Sequence, residues 1–107
     1  MHDDALRVDV EHFGGSAVVT IAGDIDAYSV LKLRETLDDL GFSKHLTLDM
    51  ANVRFMDSSG INALVGHAVH VEHGSGSLVQ IRNPSRAVQR VVELSGMGYL
   101  FDATHVA

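Results

Sequence analysis

Hydrophobic positions change period several times along the chain, and each change marks an element. Leu6, Val8 and Val10 alternate with Arg7, Asp9 and Glu11, the pattern of a strand with one solvated face. Gly14-Gly15 turns the chain into an almost continuous apolar and β-branched run, Ala17 to Ala22, which predicts a central strand covered on both faces and a hairpin with the first. After Gly23 to Asp26 the period becomes helical: Val30, Leu31, Leu33, Leu37 and Leu40 form a stripe that stops at Gly41. Lys32, Arg34, Glu35, Asp38 and Asp39 mark its wet side, and Asp26 is a plausible cap.

Leu46 to Met50 alternates again and predicts a strand, with Val53, Phe55 and Met56 carrying the chain to Asp57-Ser58-Ser59-Gly60. Ile61, Leu64, Val65, Ala68 and Val71 then recur at three and four residues, one stripe of a helix at about 100° per residue. Asn62, Gly66, His70 and His73 fall opposite. Gly74-Ser75-Gly76 ends that helix, and Leu78, Val79 and Ile81 open another strand. Asn83 as cap with Pro84 starts a last helix, with Val88, Val91, Val92 and Leu94 on its buried stripe and Gly96 at its end. Tyr99 to Thr104 reads as a short final strand. The order predicts an α/β fold: an N-terminal hairpin, then alternating helix and strand, in a mixed β-sheet with helices packed against it.

The turn at Asp57 to Gly60 sets short carboxylate and hydroxyl side chains where a helix begins, and the first N–H groups of a helix lack internal partners. Asp57 or Ser58 can cap them. An N-cap alone explains these residues; so does a phosphate site, since helix dipole and free N–H groups both favour negative charge. Composition does not choose between the two.

Resemblance does. Phe55-Met56-Asp57-Ser58-Ser59-Gly60-Ile61, following the strand Leu46 to Asp49, resembles the phosphorylation site of the STAS-domain anti-sigma factor antagonist (anti-anti-sigma factor) family. Gly23-Asp24-Ile25-Asp26 resembles that family's turn before its first helix. Asn83 to Arg90 and Leu94-Ser95-Gly96-Met97 resemble its third helix and the Ser-Gly that closes it. The likeness runs from about Leu6 to Phe101 and implies a single STAS domain over residues 1–107. It implies phosphorylation at Ser58, with Ser59 as the less favoured acceptor, and a docking face formed by Asp24, Asp26, Asp57, Ser58, Ser59, Gly60 and Asn62.

The implied circuit is partner switching. The unphosphorylated protein binds an anti-sigma factor that is also a serine kinase, and so frees a sigma factor; a PP2C-type phosphatase reverses the modification. The kinase supplies ATP, Mg²⁺ and the base, so this chain needs no cofactor and is a substrate and ligand rather than an enzyme. The alternative within the family is a scaffold, or an accessory subunit of a signalling complex or membrane transporter, without a phospho-switch.

Charge and composition narrow the remaining classes. With 107 residues and no cysteine, the chain is one domain without disulfides or thiolate metal sites. A net charge of −6 with eight scattered basic residues argues against nucleic acid. No apolar run spans a bilayer, so a cytoplasmic protein without membrane contact is expected, with a monomer favoured. His67, His70 and His73 are spaced by threes, yet His67 and His73 lie about 240° apart around a helix, so no metal is expected. A serine hydrolase would need a Gly-x-Ser-x-Gly elbow, which Ser58 lacks.

Overall fold

The structure is a computed structural model that describes residues 6–41, 45–74 and 78–101, with the side chains of 72–74 outside the description. Its elements are β1 (Leu6–Phe13), β2 (Ser16–Ile25), α1 (Val30–Leu40), β3 (His45–Met56), α2 (Ser58–Gly74), β4 (Val79–Arg82) and α3 (Arg86–Ser95), followed by a 3₁₀ turn over Gly98–Phe101. The sheet has the order β1-β2-β3-β4. β1 and β2 form the antiparallel hairpin, and β2/β3 and β3/β4 are parallel. This is the mixed sheet that the alternation of periods predicts.

One face of the sheet makes the core. Val8 pairs with Ile21, Val19 with Leu48 and Leu46 with Val79, so these side chains share a face. The β2, β3 and β4 residues among them are buried beneath α1 and α2, with Leu33, Leu37, Leu64, Ala68 and Val71 pressed onto them. The other face is open. Arg7, Asp9 and Glu11 are exposed there, as is Thr20. β2 is therefore central but covered on one face only, contrary to the reading of its apolar run. Val18 and Ala22 are half-buried because they lie between neighbours on both sides, Glu11 and Thr47 for Val18, Arg7 and Asn52 for Ala22.

Four further expectations shift. Leu31 is 61% exposed, since α1 buries only Val30, Leu33, Leu37 and Leu40. Leu94 is 82% exposed on α3, whose fully buried residue is Val88. The α3 cap is Ser85, whose Oγ accepts the Val88 N–H at 3.3 Å; Asn83 instead adopts a left-handed φ of 53°, which asparagine tolerates. Residues 98–101 form a 3₁₀ turn rather than a strand, closed by Leu100 N–H to Met97 O at 3.1 Å and anchored by buried Phe101. Residues 102–104 and 75–77 lie outside the described residues. No described helix is long and apolar enough to cross a membrane.

Candidate functional site

The site forms where β2 and β3 end side by side and α1 and α2 begin. Parallel pairing sets Asp24 opposite Phe55 and Ile25 opposite Met56, and the Asp57 N–H extends the ladder by donating to Ile25 O at 3.2 Å. Two register shifts interrupt the pairing on the way, at Thr20/Ala22 and Gly23/Asp24, each with its extra residue in β3. At the second, Gly23 takes a φ of 108°, a backbone angle that favours glycine. Arg54 is the residue left unpaired by that shift, and its Nε lies 3.3 Å from Asp24 Oδ1. The Arg54 side chain is 70% exposed and that of Asp24 35%, so the pair adds little to the stability of the fold.

Asp57 is the cap of α2. Its Oδ1 accepts the Ser59 N–H at 2.9 Å, and its carbonyl accepts from the N–H groups of Gly60 at 3.0 Å and Ile61 at 3.4 Å. Ser58, the first residue of α2, is thereby released from capping. It is exposed, and among the described residues no hydrogen bond engages its hydroxyl. Ser59 and Asp57 are half-buried and Asn62 is exposed one turn on. Gly60 is buried: a Cβ there would stand 2.6 Å from Met56 Cγ and 2.8 Å from Ile25 Cγ2. Its part is to let α2 settle onto the strand ends, so it lies beneath the exposed face rather than in it.

The start of α1 is the neighbouring wall. Asp26 Oδ1 accepts from Ser29 N–H at 2.9 Å, from Tyr28 N–H at 3.0 Å and from Ser29 Oγ at 3.1 Å. The Asp26 N–H in turn donates to Ser29 Oγ at 2.9 Å, and the one proton of that hydroxyl is shared between Asp24 O, at 2.7 Å the shorter contact, and Asp26 Oδ1. The Ser29 N–H, above all, holds the Asp26 carboxyl below its ordinary value; partial burial opposes it, and the Ser29 hydroxyl and Tyr28 N–H assist. Asp26 therefore works as a cap for the turn that leads into α1, as its position suggests.

The structure thus brings Asp24, Asp26, Asp57, Ser58, Ser59 and Asn62 to one end of the molecule, three carboxylates with one nearby guanidinium. Sequence reasoning missed Arg54, Ser29 and the exposed aromatic rings of Tyr28 and Phe55. Asp26-x-x-Ser29 was readable as a reciprocal cap by its spacing. Arg54 was not, because its role exists only through the β2/β3 register. The three histidines of α2 do not gather: His67 is buried, His70 is exposed with Nδ1–H donating to Gly66 O at 2.8 Å, and the His73 side chain lies outside the description. Among the described residues no group of three or more His, Cys, Asp or Glu side chains could hold a metal ion.

Comparison with known proteins gives this arrangement its family. Residues 8–102 match the family model described as Mlab, STAS domain. The anti-sigma-B factor antagonist of Bacillus subtilis (strain 168) is 34% identical over 98 residues, covering 91% of this chain and 89% of that protein. The chain belongs to the STAS-domain family of anti-sigma factor antagonists. Two solved structures share the fold. An anti-sigma factor antagonist from Mycobacterium paratuberculosis superposes with a TM-score of 0.78 at 24% identity, over 94% of this chain and 86% of the other. The Bacillus cell fate determinant SpoIIAA in its phosphorylated form superposes with a TM-score of 0.70 at 23% identity, over 89% and 88%.

Proposed function

We propose that this STAS domain is an anti-sigma factor antagonist that works by partner switching, with Ser58 as the phosphoacceptor. One observation carries the reading: Asp57 supplies the helix cap, and this leaves an exposed hydroxyl at the first position of α2. A kinase's base must reach the acceptor hydroxyl to take its proton, and an exposed oxygen allows this. Ser59 is a poorer acceptor because it is half-buried and its backbone N–H is held by Asp57. The name of the Bacillus subtilis relative and the phosphorylated SpoIIAA support the same reading.

A phosphate on Ser58 adds about −1.5 to −2 charges and three strong acceptors. The helix start accommodates them in the free protein. In a complex the situation reverses, because an anti-sigma factor docked over Asp24, Asp57, Ser58 and Asn62, with Asp26 at the neighbouring helix start, would have to bury a dianion beside carboxylates. Burying an uncompensated charge costs several kcal/mol, and about 4 kcal/mol suffices for a thousandfold loss of affinity. Tyr28 and Phe55 supply exposed aromatic contact next to that charge-sensitive centre. The anti-sigma factor would itself be the serine kinase, and a PP2C-type phosphatase would restore the hydroxyl, so the chain is acted upon rather than catalytic.

Incubation with the anti-sigma factor kinase and ATP is expected to add one phosphate by mass. Ser58→Ala should abolish the uptake while leaving the circular dichroism spectrum unchanged. Undiminished uptake by a folded Ser58→Ala would place the acceptor elsewhere and sink the proposal.

A further inference from the structure

α1 and α2 lie side by side, and the seam between them is made of small and polar residues rather than the aliphatic ones that fill the rest of the core. α2 contributes Ala63, Gly66, His67 and His70, at the three and four residue spacing of one helical stripe. α1 contributes Arg34, Leu37 and Asp38, and together they line a cleft of about 210 Å³. His67 is 7% exposed and is the one buried polar side chain among the described residues. It sits between the two helices whose first turns build the Ser58 end of the molecule.

We propose that the α1–α2 seam is an acid-sensitive joint in which uptake of a proton by His67 sets a charge between the helices and weakens their packing. The groups that face His67 are Asp38 and Arg34 of α1 and His70 of α2. Asp38 favours the imidazolium, while Arg34 and a protonated His70 oppose it. Burial outweighs these and holds the His67 ring below its ordinary value, in the neutral form. The linkage follows. Above the unfolded value of about 6.5 the ring is neutral in both states and its contribution is constant. As pH falls below that, the unfolded chain takes up the proton first, so stability declines until the folded value is passed. A buried imidazole at a helix joint is thus a sensor within the mildly acidic range. This inference does not depend on Ser58 being modified.

Urea unfolding of the full chain at pH 7.5 and pH 5.5 tests it, with His67→Gln as the comparison because six of the seven histidines remain in that variant. The unfolding constant of the unaltered protein should rise on acidification by up to about tenfold more than that of His67→Gln. His70→Gln should keep most of the acid response, since it removes only the opposition of His70 to the His67 charge. Equal responses in the unaltered protein and His67→Gln, or loss of the response in His70→Gln instead, would overturn the proposal. Should His67→Gln fail to fold, an NMR titration of the His67 ring in the intact protein decides. A midpoint below the ordinary histidine value supports the joint, and one at or above it refutes it.

Discussion

Two helices begin at the same end of this sheet with the same residue types, and they put them to opposite uses. At the start of α1, Ser29 Oγ receives the Asp26 N–H and reaches both Asp24 O and the Asp26 carboxylate, so the hydroxyl is consumed in holding the turn. At the start of α2, Asp57 alone satisfies the turn and the Ser58 hydroxyl remains exposed. The difference is one of position. A serine three residues after its aspartate can bond back to it, whereas a serine immediately after its aspartate points away from the turn it follows. An Asp–Ser pair at a helix start is therefore structural or available for chemistry according to spacing.

The comparison is sharpened first through the close approach of α2 to the strand ends at Gly60. Gly60→Ala would drive a methyl group into Ile25 and Met56; Met56 is flexible, but the β-branched Ile25 cannot easily yield. A loss of about 1–3 kcal/mol is expected, read as a lower urea midpoint. Next come the two serines themselves. Ser29→Ala leaves the Asp26 N–H and the Asp24 carbonyl without their partner and should cost about 1–2 kcal/mol, while Ser58→Ala should stay within about 0.5 kcal/mol of the unaltered protein. Equal losses at the two positions would erase the distinction drawn here.

Smallest is the effect of acid on the α1 turn. Asp26 is ionised more readily in the folded than in the unfolded chain, because the Ser29 and Tyr28 N–H groups stabilise its carboxylate. Its contribution is therefore complete above the unfolded value of about 3.9 and disappears as pH falls through the lower folded value. Asp26→Asn, which retains an acceptor oxygen, should be less stable than the unaltered protein at pH 5 and should close part of that gap at pH 3. A gap that does not narrow would mean that the carboxylate is not preferentially ionised in the fold.

Much of this was legible before any coordinates. The switch from alternating to helical spacing located three helices and four strands, because each element buries one side against a single core. The Ser58 turn stood out through its resemblance to a family, and the structure adds why that serine and not Ser59 is presented. What stayed hidden depends on tertiary placement. The apolar run of β2 looks the same whether one face or two are covered, and the exposure of Thr20 beside Arg7, Asp9 and Glu11 shows that one face is open. Leu31 and Leu94 fit helical stripes by spacing but sit at stripe edges and stay largely exposed. Arg54 finds Asp24 through a register shift that no local pattern encodes.

The central claim is that one exposed oxygen decides whether a partner can dock. Calorimetric titration of the anti-sigma factor with the unmodified protein and with protein phosphorylated at Ser58 measures it directly. Tight binding of the first and a loss of about a thousandfold, roughly 4 kcal/mol, for the second is the expected result. Equal affinity of the two forms would contradict the account.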